Sequence, residues 1–363
     1  MRIAIDATFI VPGRVGGAEQ MAKHLVEGIW LAGEGAHQLT VLTDHTWPGP
    51  EVRFRVPTGF GPRFAKISRT LAGPRRYDAV LFTNYFTPPV PKRGARWVTV
   101  IHDLQYRHHP EYFSARKRAW LRASHEATLR LADRVVTISE HVRDDVLRTY
   151  GSRWADKVVA IHNPVSWERF GPDDAPADED ERPYVLSVAA QYPHKNLHTL
   201  ISAFGRVATV HPDLRLVLVG QLGSALRGIA WHRPVEEAIG ELGLAGRVLV
   251  TGYVDDRTLG RWYRGARMFV FPSLFEGFAQ PPVEALGLGL PVLASGRTSI
   301  PEATRGLARM LDDPTDAVAM ADAMLEVLAD PGVARPPADR VAELRAAYAP
   351  AVIGRRYLEV LGG

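Results

Sequence analysis

Two carboxylates, Glu276 and Glu284, open the chemical reading of this chain. They lie in Phe271-Pro-Ser-Leu-Phe-Glu-Gly-Phe-Ala-Gln-Pro-Pro-Val-Glu-Ala-Leu286, where an apolar strand end, Met268–Phe271, passes through a tight loop into a helix. Pro281 and Pro282 mark the helix start, because proline's fixed φ and missing N–H suit a first turn. The N–H groups of Phe278, Ala279 and Gln280 lead into that terminus, whose positive end favours a phosphate. An anion cradle flanked by two hydrogen-bond acceptors describes a nucleotide-sugar site. A surface loop with a capped helix fits the same local residues.

Other residues carry similar alternatives. Lys195 sits in Ala189-Ala-Gln-Tyr-Pro-His-Lys-Asn196, between a strand and a helix. Its ammonium can meet a phosphate as a point charge, or it is a solvated surface lysine. His102-Asp103 ends the apolar run Trp97–Ile101, at the carboxyl end of a strand, where open α/β sheets place ligands. The pair could hydrogen-bond a sugar or shuttle a proton, or it caps the next turn. Gly16 and Gly17 follow the first strand and precede a helix, so the backbone there could approach a diphosphate. A plain turn is the alternative, since neither a dinucleotide G-x-G-x-x-G nor a P-loop Gly-Lys-Ser/Thr is present. Asp178-Glu-Asp180 has D-x-D metal spacing but lies in an acidic, proline-rich linker, so no metal site is expected there. The chain has no cysteine, which excludes disulfides, thiolate nucleophiles and cysteine-ligated metals, and fits a reducing cytoplasm.

The elements that must position these groups alternate. Short apolar runs at 2–9, Gln38–Thr43, Asp78–Phe82, Trp97–Ile101, Arg134–Ile138 and Val158–Ile161 read as strands of a first α/β domain. Tyr184–Val188, Leu214–Val219, Val248–Val250, Met268–Phe271 and Pro291–Ala294 repeat the pattern. At about 150 residues per domain, 363 residues make two. The expected boundaries are 1–170 for the first domain, 171–183 for a linker and 184–349 for the second. Pro350 breaks the chain before a last helix, 350–363. Residues 1–172 carry 25 basic and 16 acidic side chains (+9), and residues 173–363 carry 19 and 24 (−5). A basic first half suggests an anionic partner, or compositional drift. Within it, residues 53–76 hold a short amphipathic helix, with Phe64, Ile67 and Leu71 on one face and Lys66 and Arg69 opposite. Such a helix lies on an anionic membrane or turns its apolar side to the core. No stretch reaches the roughly 20 apolar residues of a spanning helix, and Asp6 interrupts the N-terminal run too early for a signal peptide.

Taken together, these motifs resemble a known family. Pro272 to Val292 is similar to the E-x7-E segment of retaining glycosyltransferases of family 4. Pro193-His-Lys-Asn-Leu197 resembles the family's Pro-Arg-Lys-Asn turn. Val100-Ile-His-Asp-Leu104, His109-Pro-Glu-Tyr-Phe113, Gly16-Gly-Ala-Glu19 and Val136-Thr-Ile-Ser139 match in the family's order. The resemblance implies a GT-B fold, two Rossmann-like α/β domains facing across a cleft. The second would hold a nucleotide-sugar and the first, joined by the last helix, the acceptor. It implies that Glu284 takes the ribose hydroxyls and that Glu276 faces the donor hexose. Lys195, the backbone at Phe278, Ala279 and Gln280, and Gly16 and Gly17 would hold the diphosphate, with His102 beside the sugar. Ala279 stands where the family usually has Gly, His194 where Arg is common, and Ala190 where some members have a second phosphate-binding Arg, which leaves the cationic clamp to Lys195.

The expected reaction is transfer of a hexose, mannose or rhamnose favoured, with retention. The donor is a nucleotide-diphospho-sugar and the acceptor a glycan, a lipid-linked or a small molecule. A helix N-terminus and Lys195 would stabilise the leaving diphosphate without a metal or other cofactor. A sugar-nucleotide epimerase or a non-catalytic sugar-nucleotide-binding protein on the same fold are the alternatives. The expected setting is the cytoplasm, with peripheral contact at the inner face of an anionic membrane through the basic first domain, and no nucleic-acid partner.

Overall fold

The computed structural model describes residues 1–10, 17–43, 45, 47, 54–56, 63–73, 76–172, 177–220 and 234–363, with backbone alone at 54–56, 63, 64 and 66. The chain runs β1 (Arg2–Asp6), α1 (Gly17–Ala32), β2 (Gln38–Leu42), β3 (Phe54–Val56), α2 (Arg63–Ala72), β4 (Ala79–Phe82), β5 (Arg96–Ile101) and α3 (Gln105–His108). Then come α4 (Ala115–Leu131), β6 (Arg134–Thr137), α5 (Glu140–Tyr150), β7 (Val158–Ala160), β8 (Tyr184–Val188), α6 (Leu197–Val210) and β9 (Arg215–Val219). The rest is α7 (Val235–Glu241), β10 (Val248–Gly252), α8 (Asp256–Gly265), β11 (Met268–Phe271), α9 (Gln280–Gly287), β12 (Val292–Ser295), α10 (Ile300–Thr304), β13 (Arg309–Leu311), α11 (Ala317–Ala329), α12 (Ala338–Tyr348) and α13 (Pro350–Gly362).

These elements form two compact units, Met1–Val165 with Ala346–Gly363, and Ser166–Arg345. Among the described residues, the first unit has a seven-stranded sheet in the order β3-β2-β1-β4-β5-β6-β7 and the second a six-stranded sheet, β10-β9-β8-β11-β12-β13. Every strand pair is parallel. Both faces of such sheets are covered by helices, which is why the strands read as unbroken apolar runs. Each sheet therefore has a point where the strand order reverses, between β1 and β4 and between β8 and β11, and open α/β sheets bind ligands outside the carboxyl ends of the strands at that point. Two short strands, β3 and β13, lie beyond the elements expected from sequence.

The last helix belongs to the first unit. There α13 packs on α1 through two glycines. A Cβ on Gly354 would come within 2.0 Å of the Gly28 carbonyl oxygen, and one on Gly28 within 2.2 Å of the Pro350 carbonyl oxygen. Arg356 Nη2 donates to the Ala160 carbonyl at 2.8 Å and Arg96 Nε to the Val360 carbonyl at 2.7 Å. Because the obstructing atoms are backbone, Gly354→Ala must push the two helices apart. It is expected to destabilise the first unit by about 1–3 kcal/mol, read by denaturant unfolding.

Ser166–Phe170, expected at the end of the first domain, belong to the second unit. Trp167 Nε1 donates to the Glu284 carbonyl at 3.2 Å, and its ring fills the place a side chain at residue 287 would take. The acidic linker is anchored too. Arg215, 3% exposed, pairs through Nη1 with Asp178 at 2.8 Å and Asp180 at 3.1 Å, which gives both acids of the D-x-D pattern a guanidinium partner. On α2, Ile67 and Leu71 are buried with Phe82 and Trp97, so these two residues turn to the core. Arg53 and Arg75 lie outside the described residues, as do the side chains of Arg55, Arg63, Phe64 and Lys66. No helix among the described residues is long and apolar enough to cross a membrane.

Candidate functional site

The reversal point of the second sheet brings three loops together. The loop after β8 ends in a single 3-10 turn, Pro193–Lys195, and the loop after β11 runs from Pro272 to Ala279. Their backbones are joined directly: Leu274 N donates to the His194 carbonyl at 2.7 Å and Ser273 Oγ to the same oxygen at 3.2 Å. Asn196 Nδ2 donates to the Pro272 carbonyl at 3.2 Å and to that of Pro314 at 2.6 Å. The loop after β12 closes the cluster. There Thr298 Oγ1 accepts from Glu276 N at 3.1 Å, and Ser299 Oγ donates to the Glu276 carbonyl at 3.0 Å.

This framework sets Lys195 Nζ 2.6 Å from Glu276 Oε1, with side chains only 17% and 12% exposed. A shielded, charge-assisted bond of that length fixes the ammonium far better than a solvated lysine would be fixed. His194 is buried and stacks on Tyr192, 5.6 Å between centroids. The three loops also hold three non-glycine residues in the left-handed region: Asn196 (φ 58°), Ala279 (φ 63°) and Thr298 (φ 53°). For Ala and Thr that conformation costs about 1 kcal/mol or more. Strain of this kind collects where the surrounding structure over-determines a loop, functional sites above all. Ala279→Gly is therefore expected to stabilise the second unit by up to about 1 kcal/mol, the relieved strain exceeding the lost methyl burial. A melting temperature below the parent's would show that the buried methyl matters more than the strain.

Ala279 also precedes α9. With Pro281 and Pro282 in the first turn, two of the N–H groups a helix start usually presents are missing. The N–H groups that remain at this terminus are those of Ala279 and Gln280. Phe278, 3% exposed, anchors the loop from within.

Glu284 lies on α9, four residues after Gln280. It is 3% exposed, and its carboxylate accepts three hydrogen bonds: Arg169 Nη2 at 2.5 Å and Gln280 Nε2 at 2.7 Å on Oε1, and Tyr263 OH at 2.9 Å on Oε2. Arg169 also meets Asp256 at 2.5 Å. Although burial disfavours its charge, the two carboxylates hold the Arg169 guanidinium above its usual pKa, while burial pushes the Tyr263 hydroxyl well up. Gln280 Oε1 is buried with no hydrogen-bond partner, an acceptor beside the carboxylate. Arg169 and Tyr263 were not singled out from sequence. Nothing local marks them, since their link to Glu284 is made only by the fold.

The first unit has its own reversal point, between β1 and β4. There Thr83 Oγ1 donates to the Asp6 carbonyl at 2.5 Å. His102, at the end of β5, donates from Nε2 to the Thr83 carbonyl at 2.8 Å. A carbonyl only accepts, so Nε2 carries a proton. Asp103 Oδ1 accepts from Gln105 N at 2.9 Å at the start of α3, the capping role. Gly17 begins α1 and is exposed. A Cβ there would meet nothing within 4 Å, so packing gives no reason for glycine. Gly16 lies outside the described residues. The structure thus brings Lys195, Glu276, Phe278, Ala279, Gln280 and Glu284 together in the second unit, and places His102 and Gly17 in the first.

Comparison with known proteins bears on the family and the fold. Residues 15–169 match the description Glycosyltransferase Family 4, and residues 173–346 match Glycosyl transferases group 1. The chain is 30% identical over 249 residues to O-antigen chain mannosyltransferase B of Escherichia coli, a match covering 66% of this chain and 63% of that protein. It is 26% identical over 195 residues to O-antigen chain mannosyltransferase RfbU of Salmonella typhimurium, covering 54% and 50%. The chain thus spans less than two thirds of the length of these relatives. Among solved structures, sucrose-phosphate synthase from Thermosynechococcus elongatus superposes with a TM-score of 0.77 at 23% identity, over 99% of this chain and 98% of that one. Anabaena HepE, solved with UDP and glucose, does so at 0.74 and 19%, over 100% and 99%. These likenesses show the GT-B fold.

Proposed function

The chain belongs to the family 4, group 1 glycosyltransferases, and from that premise we propose that it is a hexosyltransferase. In this reading it moves a hexose, with mannose or rhamnose favoured, from a nucleotide-diphospho-sugar to a glycan, lipid-linked or small-molecule acceptor, with retention and without a metal. The observation that carries the reading is the 2.6 Å Lys195–Glu276 pair at the β8/β11 reversal point, beside the start of α9. The mannosyltransferases among its relatives support the sugar and a place in polysaccharide assembly.

The chemistry follows from charge. Breaking the anomeric bond leaves negative charge on a diphosphate and positive charge on the sugar ring. Lys195 and the N–H groups of Ala279 and Gln280 meet the former. A preorganised cation and dipoles are often the largest catalytic contribution. Glu276, fixed by Thr298 and Ser299 through its backbone, orients Lys195 and presents its carboxylate to the hexose. The buried Glu284 cluster holds the start of α9 and, with Gln280 Oε1, offers acceptors for ribose hydroxyls.

The test is release of nucleoside diphosphate from UDP-, GDP- and dTDP-hexoses with glycan acceptors, the product's anomeric configuration being read by NMR and the rate repeated in EDTA. Retained configuration and an unchanged rate in chelator are expected. An inverted product, a rate abolished by chelator, or an epimerised donor formed without acceptor would each contradict the proposal.

A further inference from the structure

The first unit carries a polar cavity of about 340 Å³ between α3, α4 and the end of α5. None of the candidate donor residues lines it. Four arginines do, Arg107, Arg122, Arg130 and Arg153, against a single carboxylate, Glu126. Glu126 does not neutralise them. Arg122 and Arg130 reach it only at 3.4 Å, with side chains 66% and 62% exposed. Long, exposed pairs of that kind contribute little. Arg153 is exposed and lies over the Trp154 ring, 5.3 Å from its centroid. The lining holds three more guanidinium groups than carboxylates.

A second observation points the same way. The hydroxyls of Tyr106 and Tyr150, both buried in the cavity wall, hydrogen-bond to each other. Burial raises the pKa of both, so both keep their protons at neutral pH. One proton is used between the two oxygens. The other remains a donor that the protein does not take up. Behind the pair, His125 stacks on Tyr106 and Tyr150 with centroids 5.5 and 6.3 Å away. Burial pushes its imidazole down to about 4, so it is neutral and adds no charge of its own.

We propose that this cavity binds the phosphate group of a phosphate ester, held by the Arg107 and Arg153 guanidinium groups and the remaining tyrosyl proton. Several guanidinium forks and an O–H converging on one volume suit a tetrahedral oxyanion better than a planar carboxylate, which a single fork satisfies. Trp154 gives the organic part of the ester an apolar wall. The same chemistry comes from a soluble phosphate ester or from the phosphodiester head group of a lipid, and the test separates these sources.

Calorimetric titration of the full chain with glycerol 1-phosphate is run beside co-sedimentation with phosphatidylglycerol and phosphatidylcholine vesicles, both at about 0.15 M salt so that diffuse surface charge is screened. Arg107→Gln/Arg153→Gln is compared with Arg116→Gln/Arg118→Gln, a variant of equal charge loss on the first turn of α4, away from the cavity lining. Equal melting temperatures establish that both variants are folded. The expected result is saturable binding of the soluble ester, the phosphatidylglycerol vesicles or both. The first variant weakens it at least about tenfold and the second less than about twofold. Binding of the soluble ester identifies a free phosphate as a ligand, and binding of vesicles alone identifies the head group. Absence of saturable binding to either probe, or equal weakening by the two variants, overturns the proposal.

Discussion

Arg169→Ala lowers the melting temperature of the second unit by roughly 6–12 °C, equivalent to about 3 kcal/mol for a domain of this size. The effect follows from what the substitution leaves behind. Glu284 is 4% exposed at its side chain and Arg169 11%, so the guanidinium is the counter-charge of a carboxylate removed from water. Without it, Tyr263 and Gln280 still donate to Glu284, which places the loss at the low end of the cost of breaking a buried pair. Replacing both partners, Arg169→Met with Glu284→Leu, removes the stranded charge and recovers most of the stability. Calorimetric melts of the three proteins check this. A loss below about 1 kcal/mol in the single variant would mean that the pair is solvated and contributes as a surface ion pair does.

Lys195→Ala lowers turnover by on the order of 10²–10³, the scale of losing one oxyanion-type donor from a preorganised site. The KM against kcat split locates the loss. If the ammonium acts mainly on charge that develops as the diphosphate leaves, kcat falls. If it binds ground and transition states equally, KM rises alone. Alanine also leaves Glu276 without its 2.6 Å partner, so Glu276→Gln, which keeps Lys195, is the companion variant. Its rate shows how much of the loss belongs to the carboxylate. An unchanged rate in Lys195→Ala would remove the lysine from the reaction.

Much of this site was legible before any coordinates, for a physical reason. Strands buried on both faces must be apolar throughout, so β8 and β11 stand out, and a polar residue just past each strand's end falls on the ligand side of the sheet. Lys195 and Glu276 both follow such strand ends, and the structure pairs them although they are 81 residues apart. Ala279 was legible as an unusual residue, and its left-handed backbone gives the reason that glycine would suit it.

What was not legible depends on long-range pairing. Arg169 meets Glu284 across 115 residues, and neither its neighbours nor its spacing signals that. Ser166–Phe170 read as the end of the first domain because they follow its last strand. Only the seat of Trp167 against Gly287 and the Glu284 carbonyl puts them in the second unit. The three donors that surround the buried Glu284 carboxylate could not be read from a motif. The strands β3 and β13 have three residues each and lie at sheet edges, too short to show a period.

The central claim is that a nucleoside diphosphate is bound through Lys195. Thermal melts of the parent and Lys195→Ala with UDP, GDP, dTDP and ADP test it most directly, because a ligand that binds only the folded state stabilises it, by about 2.7 kcal/mol at a hundred times its Kd. The prediction is that at least one of the four raises the parent's melting temperature, and that Lys195→Ala needs at least about tenfold more of it for the same shift. No shift with any of the four, or the same dose dependence in both proteins, would contradict the claim.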